Sequence, residues 1–260
     1  LKGPVVVAYS PQMASLEPAL LPEDALFTVS TEYFFNRTTS HNVVAAIQGS
    51  DDIGSLDAVV MSAHYDHLGA NKADGYMPGA NDNASGVVAL LQTALMLRET
   101  ELNHTVVFLF PGAEEWGLRG SRAYAANPSY PLSRTLCALN LDMVGMARDK
   151  QFYAVGMGQN PQLAKMLNEL CTGIAEIKGG IDHAIIGSDQ WVFHLAGIPT
   201  LLLTSGRYEE YNSPNDTKDI ISTDSIRIAA TLWAQLARKL DPLESLPDPD
   251  DKYFPFPGRR

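Results

Sequence analysis

The residues of this 260-residue chain that can do chemistry fall in four short stretches, three of them at the end of an apolar run. The first, SAHYDHLG, presents His64 and, two residues on, Asp66. A neutral imidazole is a metal ligand, and a carboxylate beside it fixes its tautomer and raises its basicity. The second, GANDNASG, places Asp82 in a Gly- and Asn-rich turn ahead of a helical pattern. That carboxylate, or Asn83, caps the helix, or Asp82 bridges two cations, one oxygen to each. The third, FLFPGAEEWGLRGS, sets Glu114 and Glu115 side by side after a very apolar run. Adjacent carboxylates repel unless a cation is near. Successive side chains of extended backbone point in different directions, so one Glu can face a metal and its neighbour a water. An acidic helix start at these two glutamates, with Gly117 to Asn127 following, is the ordinary alternative. The fourth, LNLDMVG, puts Asp142 between Leu141 and Met143, where a carboxylate needs a buried partner that a metal would supply. Each stretch alone has a bland reading. Together, one His and several carboxylates suit a divalent cation bound through nitrogen and oxygen, zinc first.

Strands and helices must bring these stretches together. Apolar runs at Val5 to Tyr9, Val43 to Ile47, Ala58 to Ala63, Val106 to Phe110, Leu136 to Leu141 and Thr200 to Thr204 predict strands. Several are apolar on both faces, as central strands covered by helices are. Helical patterns run over Ser85 to Arg98, Gln162 to Ile177, Asp189 to Ala196 and Ser225 to Leu240. In the first of these, Ser85 is the expected cap and Val87, Val88, Leu91, Ala94 and Leu95 the apolar stripe. The alternation predicts an α/β fold: a three-layer α/β/α sandwich with a mostly parallel mixed central sheet. The polar stretches then lie at the carboxyl ends of strands, where such sheets form their sites. Residues 1–260 read as a single domain. Residues 1–35 are less regular, as a remnant of a preceding segment or an edge element would be. The stretch 241–260 carries Pro242, Pro247, Pro249, Pro255 and Pro257 and is expected to be an extended tail, with Tyr253, Phe254 and Phe256 available to dock.

In order and spacing, HYDHLG, GANDNASG, GAEEWGLRGS, LNLDMVG, SDQWVFHLAGIP and YEEYNSPNDT resemble the zinc-dependent exopeptidase family that contains bacterial leucyl aminopeptidase, aminopeptidase Y and glutamate carboxypeptidase. The resemblance covers roughly Asn42 to Leu240. It implies a co-catalytic zinc fold in which His64 and Asp142 ligate one metal, Asp66 orients His64, Asp82 bridges, Glu115 ligates the other metal and Glu114 is the general base. It also implies a metallo-aminopeptidase acting on peptide or protein N-termini, secreted or periplasmic. The departure is Asn212, which stands in YEEYNSPNDT where the family usually has a ligating His; Arg207 and Gln190 also stand where His is common. An amide oxygen is a neutral, weaker zinc ligand than imidazole. One tight zinc and a second that is weak or absent are therefore expected. A catalytically impaired or non-catalytic binding module on the same fold is the alternative that Asn212 raises. A glutaminyl cyclase-like acyltransferase fits less well, because its retained metal resembles the one held through the missing His. Arg207, Tyr208 and Trp116 lie near the motifs as candidate substrate-binding residues. Arg207 could also clamp a terminal carboxylate in a carboxypeptidase.

Bulk properties narrow the field. The net charge of -11 and the lack of a Lys/Arg cluster argue against nucleic acid. The acidic balance favours a substrate bearing a positive amine. No apolar run reaches the length of a membrane span. Cys137 and Cys171 lack CxxC spacing, which disfavours a thiolate zinc site; they either pair or are buried free thiols. There is no GxSxG elbow and no phosphate-binding GxxxxGK[ST] loop. Oligomeric state is not legible.

Overall fold

A computed structural model describes residues 38–50, 58–71, 75–179 and 187–249. The chain divides into two units, residues 1–39 and 40–260, and the second holds every described strand and helix. The expected strand Val5 to Tyr9 and the aromatic residues of the tail lie outside the described residues.

A seven-stranded sheet forms the centre. Its strands are β1 (Val43–Ile47), β2 (Ala58–Ser62), β5 (Thr105–Phe110), β6 (Thr135–Leu141), β7 (Gln151–Val155), β8 (Glu176–Gly179) and β9 (Thr200–Thr204). They lie in the order β1-β5-β2-β6-β9-β7-β8. The β2–β5, β2–β6, β6–β9 and β7–β8 pairs are parallel, whereas β1–β5 and β7–β9 are antiparallel. A separate hairpin of β3 (Gly69–Asn71) and β4 (Gly75–Met77) follows the His64 stretch. Strands β2, β5, β6 and β9 are buried along their whole length, which is why they read as continuous apolar runs. Alternate side chains feed two cores. Val59, Met61, Val106, Phe108, Cys137 and Leu139 pack with helices α1 (Gly86–Leu97), α3 (Pro161–Cys171) and α5 (Thr223–Leu240). Val60, Val107, Leu109 and Ala138 pack on the other face with Tyr124 of α2 (Arg119–Ala126) and Phe193 of α4 (Gln190–Leu195). Helices on both faces of a mostly parallel sheet make the three-layer α/β/α sandwich.

Several local readings differ from the structure. Ser85 does not cap α1 with its side chain. Its hydroxyl donates to the Asn81 carbonyl and accepts from the Val144 N–H, tying the turn before α1 to the chain after β6. The buried face of α1 is Gly86, Ala89, Leu90, Thr93 and Leu97, whereas Val88, Leu91 and Leu95 are 50, 50 and 57% exposed. Val87 and Ala94 of the expected stripe do pack against the core, but the helix is apolar on most sides, so the sequence pattern centres the stripe too far toward solvent. Helix α3 stops at Cys171 rather than Ile177, because Gly173 adopts φ 77, a left-handed conformation that ends a helix, and Glu176 begins β8. Helix α5 ends at Leu240 as the following proline requires, and Leu243 and Leu246 pack against the core. Cys137 and Cys171 are both free and buried.

Candidate metal centre

The parallel ladder carries His64 to the sheet edge. Beyond β2, the Ala63 N–H donates to the Leu109 carbonyl at 3.2 Å and the Tyr65 N–H to Pro111 at 3.1 Å. The chain therefore stays extended next to β5, and His64 falls on the same side as Ser62. His64 Nδ1 is 3.1 Å from the Asp66 carbonyl oxygen, an acceptor only. Nδ1 must carry the hydrogen there, which leaves Nε2 as the donor atom for a cation. The Asp66 carboxylate does not make that contact: it lies 3.8 Å from Nδ1. Its oxygens instead accept from the Glu114 N–H at 2.9 Å and the Glu115 N–H at 3.3 Å, so this carboxylate positions the two glutamates.

Asp142 arrives one residue past β6, its N–H still paired with the Leu203 carbonyl at 3.2 Å. Asp82 sits in the turn before α1, which is wired throughout. Asn83 donates to the Leu141 carbonyl and accepts from the Gly86 and Met143 N–H groups. Asn81 accepts from the Gly145 N–H. The Asn81 and Asp82 N–H groups both donate to buried Asp216, at 2.8 and 3.2 Å. Gly86 permits this packing, since a Cβ there would lie 2.2 Å from Asn83 Oδ1 and 2.6 Å from the Leu141 carbonyl.

These elements bring His64 Nε2 to 3.5 Å from Asp82 Oδ1 and 3.5 Å from Asp142 Oδ1. Two donors each about 2.0–2.1 Å from a tetrahedral zinc stand about 3.3 Å apart, so the spacing fits such an ion. Asp142 Oδ1 is buried and has no hydrogen-bond partner, the state of an oxygen reserved for a cation. Glu114 joins this group, with donor atoms of His64, Glu114 and Asp142 all within 4.8 Å of one another. Among the described residues a second group gathers His67, Asp82 and Glu115 within the same limit. The sequence does not single out His67 within HYDHLG; its one signal there is that it is a second imidazole three residues after His64.

The electrostatics show a centre short of positive charge. Burial pushes the Glu114 carboxyl up to about 9, with Asp142 adding to the rise against the opposing His64. Burial and the Asp142 carboxylate push Asp82 up to about 7. Burial opposes a charged His64, yet Asp142 and more distant carboxylates raise it well above its usual value. Buried Asp189, beneath the site, is pushed up to about 6, mainly by burial. A divalent cation would offset this repulsion.

Asn212 is exposed, has φ 54 and hydrogen-bonds the Tyr211 side chain. Arg207 and Tyr208 line a cavity of about 990 Å³ together with Asp142, Met143, Tyr153 and Glu209. Tyr208 donates to Asp216 at 2.8 Å. Trp116 stands 73% exposed, whereas Trp191 is buried and stacks on His194.

An α/β sandwich with imidazoles and carboxylates gathered beyond its central strands is a scaffold for a cation-dependent hydrolase. Residues 42–237 match the model of peptidase family M28, and the chain belongs to that family. It is 31% identical over 209 residues to aminopeptidase YwaD of Bacillus subtilis, covering 76% of this chain and 44% of that protein. It is 33% identical over 200 residues to the probable lipoprotein aminopeptidase LpqL of Mycobacterium tuberculosis, covering 71% of this chain and 37% of that protein. Among solved structures it resembles a zinc aminopeptidase from Bacillus subtilis, at a TM-score of 0.64 and 28% identity, over 76% of this chain and 49% of that one. It also resembles an aminopeptidase from Aneurinibacillus sp. strain AM-1, at 0.63 and 29%, over 78% and 48%. The chain thus spans about half or less of the length of these relatives.

Proposed function

We propose that this chain is the catalytic domain of a zinc-dependent aminopeptidase that hydrolyses the N-terminal peptide bond of peptides or proteins. The observation that carries the reading is the convergence of His64, Asp82 and Asp142 at zinc-ligand spacing with Glu114 beside them. In this reading His64, Asp82 and Asp142 hold one zinc tightly. A position that drew on the Asn212 amide would be the weaker one. Zinc supplies Lewis acidity, polarising a carbonyl and lowering the pKa of water to about 7.

The residues do the rest. Glu114 takes a proton from the attacking water, the water oxygen bonds to the scissile carbonyl carbon, and Glu114 returns the proton to the leaving amine as the C–N bond breaks. The Asp66 carboxylate, through the Glu114 and Glu115 N–H groups, keeps both glutamates aimed. The surplus of carboxylates favours a protonated α-amino group, and Arg207 and Tyr208 line the space for the rest of the substrate. A secreted or periplasmic setting is part of this reading, and its support is the name of one relative, a probable lipoprotein aminopeptidase. No described helix is long and apolar enough to cross a membrane.

The test is hydrolysis of aminoacyl-anilides beside their N-acetylated counterparts, by the native protein and by Glu114→Gln. Zinc-dependent turnover of the free-amine series alone is expected. Glu114→Gln should lower kcat about 10²–10⁴-fold with zinc content unchanged. Turnover that survives this substitution rules out Glu114 as the base. Hydrolysis of the blocked series at equal rate rules out an aminopeptidase.

A further inference from the structure

His67 lies between β2 and the β3–β4 hairpin, and its ring reaches oxygens that His64 does not face. Nδ1 is 2.9 Å from Glu115 Oε1 and 3.9 Å from Asp82 Oδ2, while His64 faces the other oxygen of Asp82. The ring has a made seat. Gly79 has φ 67, and a Cβ there would lie 2.6 Å from His67 Cγ and 2.8 Å from its Cβ. Only a glycine lets the imidazole pack against the turn that carries Asp82. The ring's other nitrogen, Nε2, is buried with no hydrogen-bond partner, so the polar contacts of His67 are to the two carboxylates. Asn212 is placed differently: it is exposed, and its side chain is engaged with Tyr211.

We propose that His67, rather than Asn212, is the nitrogen ligand of a second zinc position completed by Asp82 and Glu115. This rests on the peptidase reading, because the first position shares Asp82. Nδ1 of His67, Oδ2 of Asp82 and Oε1 of Glu115 supply one nitrogen and two carboxylate oxygens. Three protein donors with a position left open is the composition of reactive rather than purely structural zinc sites. Each oxygen of Asp82 then serves one cation. The two positions differ in support. His64 is fixed by its bond to the Asp66 carbonyl, whereas His67 Nε2 has no such partner. An imidazole lacking its outer hydrogen bond binds metal about 10–100-fold more weakly, so the His67 zinc is the looser of the two.

The test is a zinc titration of the full, metal-stripped chain, followed by calorimetry and by metal counting in native mass spectrometry. Native protein should take two zincs, the second about 10–100-fold weaker. His67→Gln should lose the second and keep the first, and Asn212→Ala should keep both. Native protein that takes only one zinc overturns the proposal. So does an unchanged second zinc in His67→Gln, or its loss in Asn212→Ala. Zinc-edge X-ray absorption on the two-zinc native protein needs no variant: it should show one imidazole per zinc on average, and half that number overturns the assignment. A chain that binds no zinc at all defeats the peptidase reading itself, a separate result.

Discussion

Asp216 shows how far the centre depends on a residue that faces no cation. It is fully buried, and its oxygens accept from the Asn81 and Asp82 N–H groups and from the Tyr208 hydroxyl. Asp82 can hold its place between His64 and His67 only while its own backbone is held. Each bond to a buried carboxylate contributes about 1.5–3 kcal/mol, and losing the acceptor leaves buried N–H donors unpaired. Asp216→Ala should therefore cost roughly 3–5 kcal/mol in urea denaturation, while Tyr208→Phe, which removes one donor, should cost about 1–2. A loss under 1 kcal/mol for Asp216→Ala would show that the turn holds without this anchor. Little of this is legible in the sequence. His64, Glu114, Glu115 and Asp142 stand out because each follows or interrupts an apolar stretch, and Asp82 because it sits in a Gly- and Asn-rich turn ahead of a helix. Asp66 is marked by its place two residues after His64, but its hold on the two glutamates is not; that contact, like those of His67 and Asp216, reaches 48 to 135 residues along the chain and leaves no local pattern.

Elements set the precision of these contacts, and the sequence marks them unevenly. Strands β2, β5, β6 and β9 are plain in it because both faces are buried and the apolar runs are unbroken. Strand β8, at the sheet edge, escapes it because its exposed Glu176 and Lys178 break the apolar run, and β7 because half-buried Gln151 and Tyr153 alternate with its buried residues. The β3–β4 hairpin has only three residues a side, too few to show alternation. Helix α1 is the instructive case: its existence and ends are clear, but a helix apolar on most sides does not announce which side faces the sheet. The structure makes a sharp distinction between neighbours. Leu90 is fully buried against α5 and the sheet, and Leu91 is half exposed. Leu90→Ala should cost about 2–5 kcal/mol by leaving a cavity, and Leu91→Gln should change stability by no more than about 0.5. Equal losses at the two positions, measured by thermal or urea unfolding, would place the buried face where the sequence pattern suggests it.

For the molecule as a whole, charge is the governing quantity. The chain carries a net charge of -11, and part of that excess is buried. Asp82, Glu114, Asp142 and Asp189 lie within or just beneath one centre, and burial raises Asp82, Glu114 and Asp189 well above the ordinary carboxylate range. Folding without a cation must bring these groups together against their repulsion; folding with one converts repulsion into coordination. Metal binding is therefore linked to the stability of the fold as well as to chemistry. A ligand present at a hundred times its Kd stabilises by about 2.7 kcal/mol. A domain of this size shifts in Tm by about 2–4 °C per kcal/mol. Stripping zinc with a chelator should thus lower Tm by roughly 5–10 °C, and restoring stoichiometric zinc should return it. The control is added sodium chloride. Salt screens exposed charges but reaches a buried cluster poorly, so it should recover little of the lost Tm. If salt restores stability as well as zinc does, the deficit belongs to the acidic surface, and the buried carboxylates are not what the cation holds together.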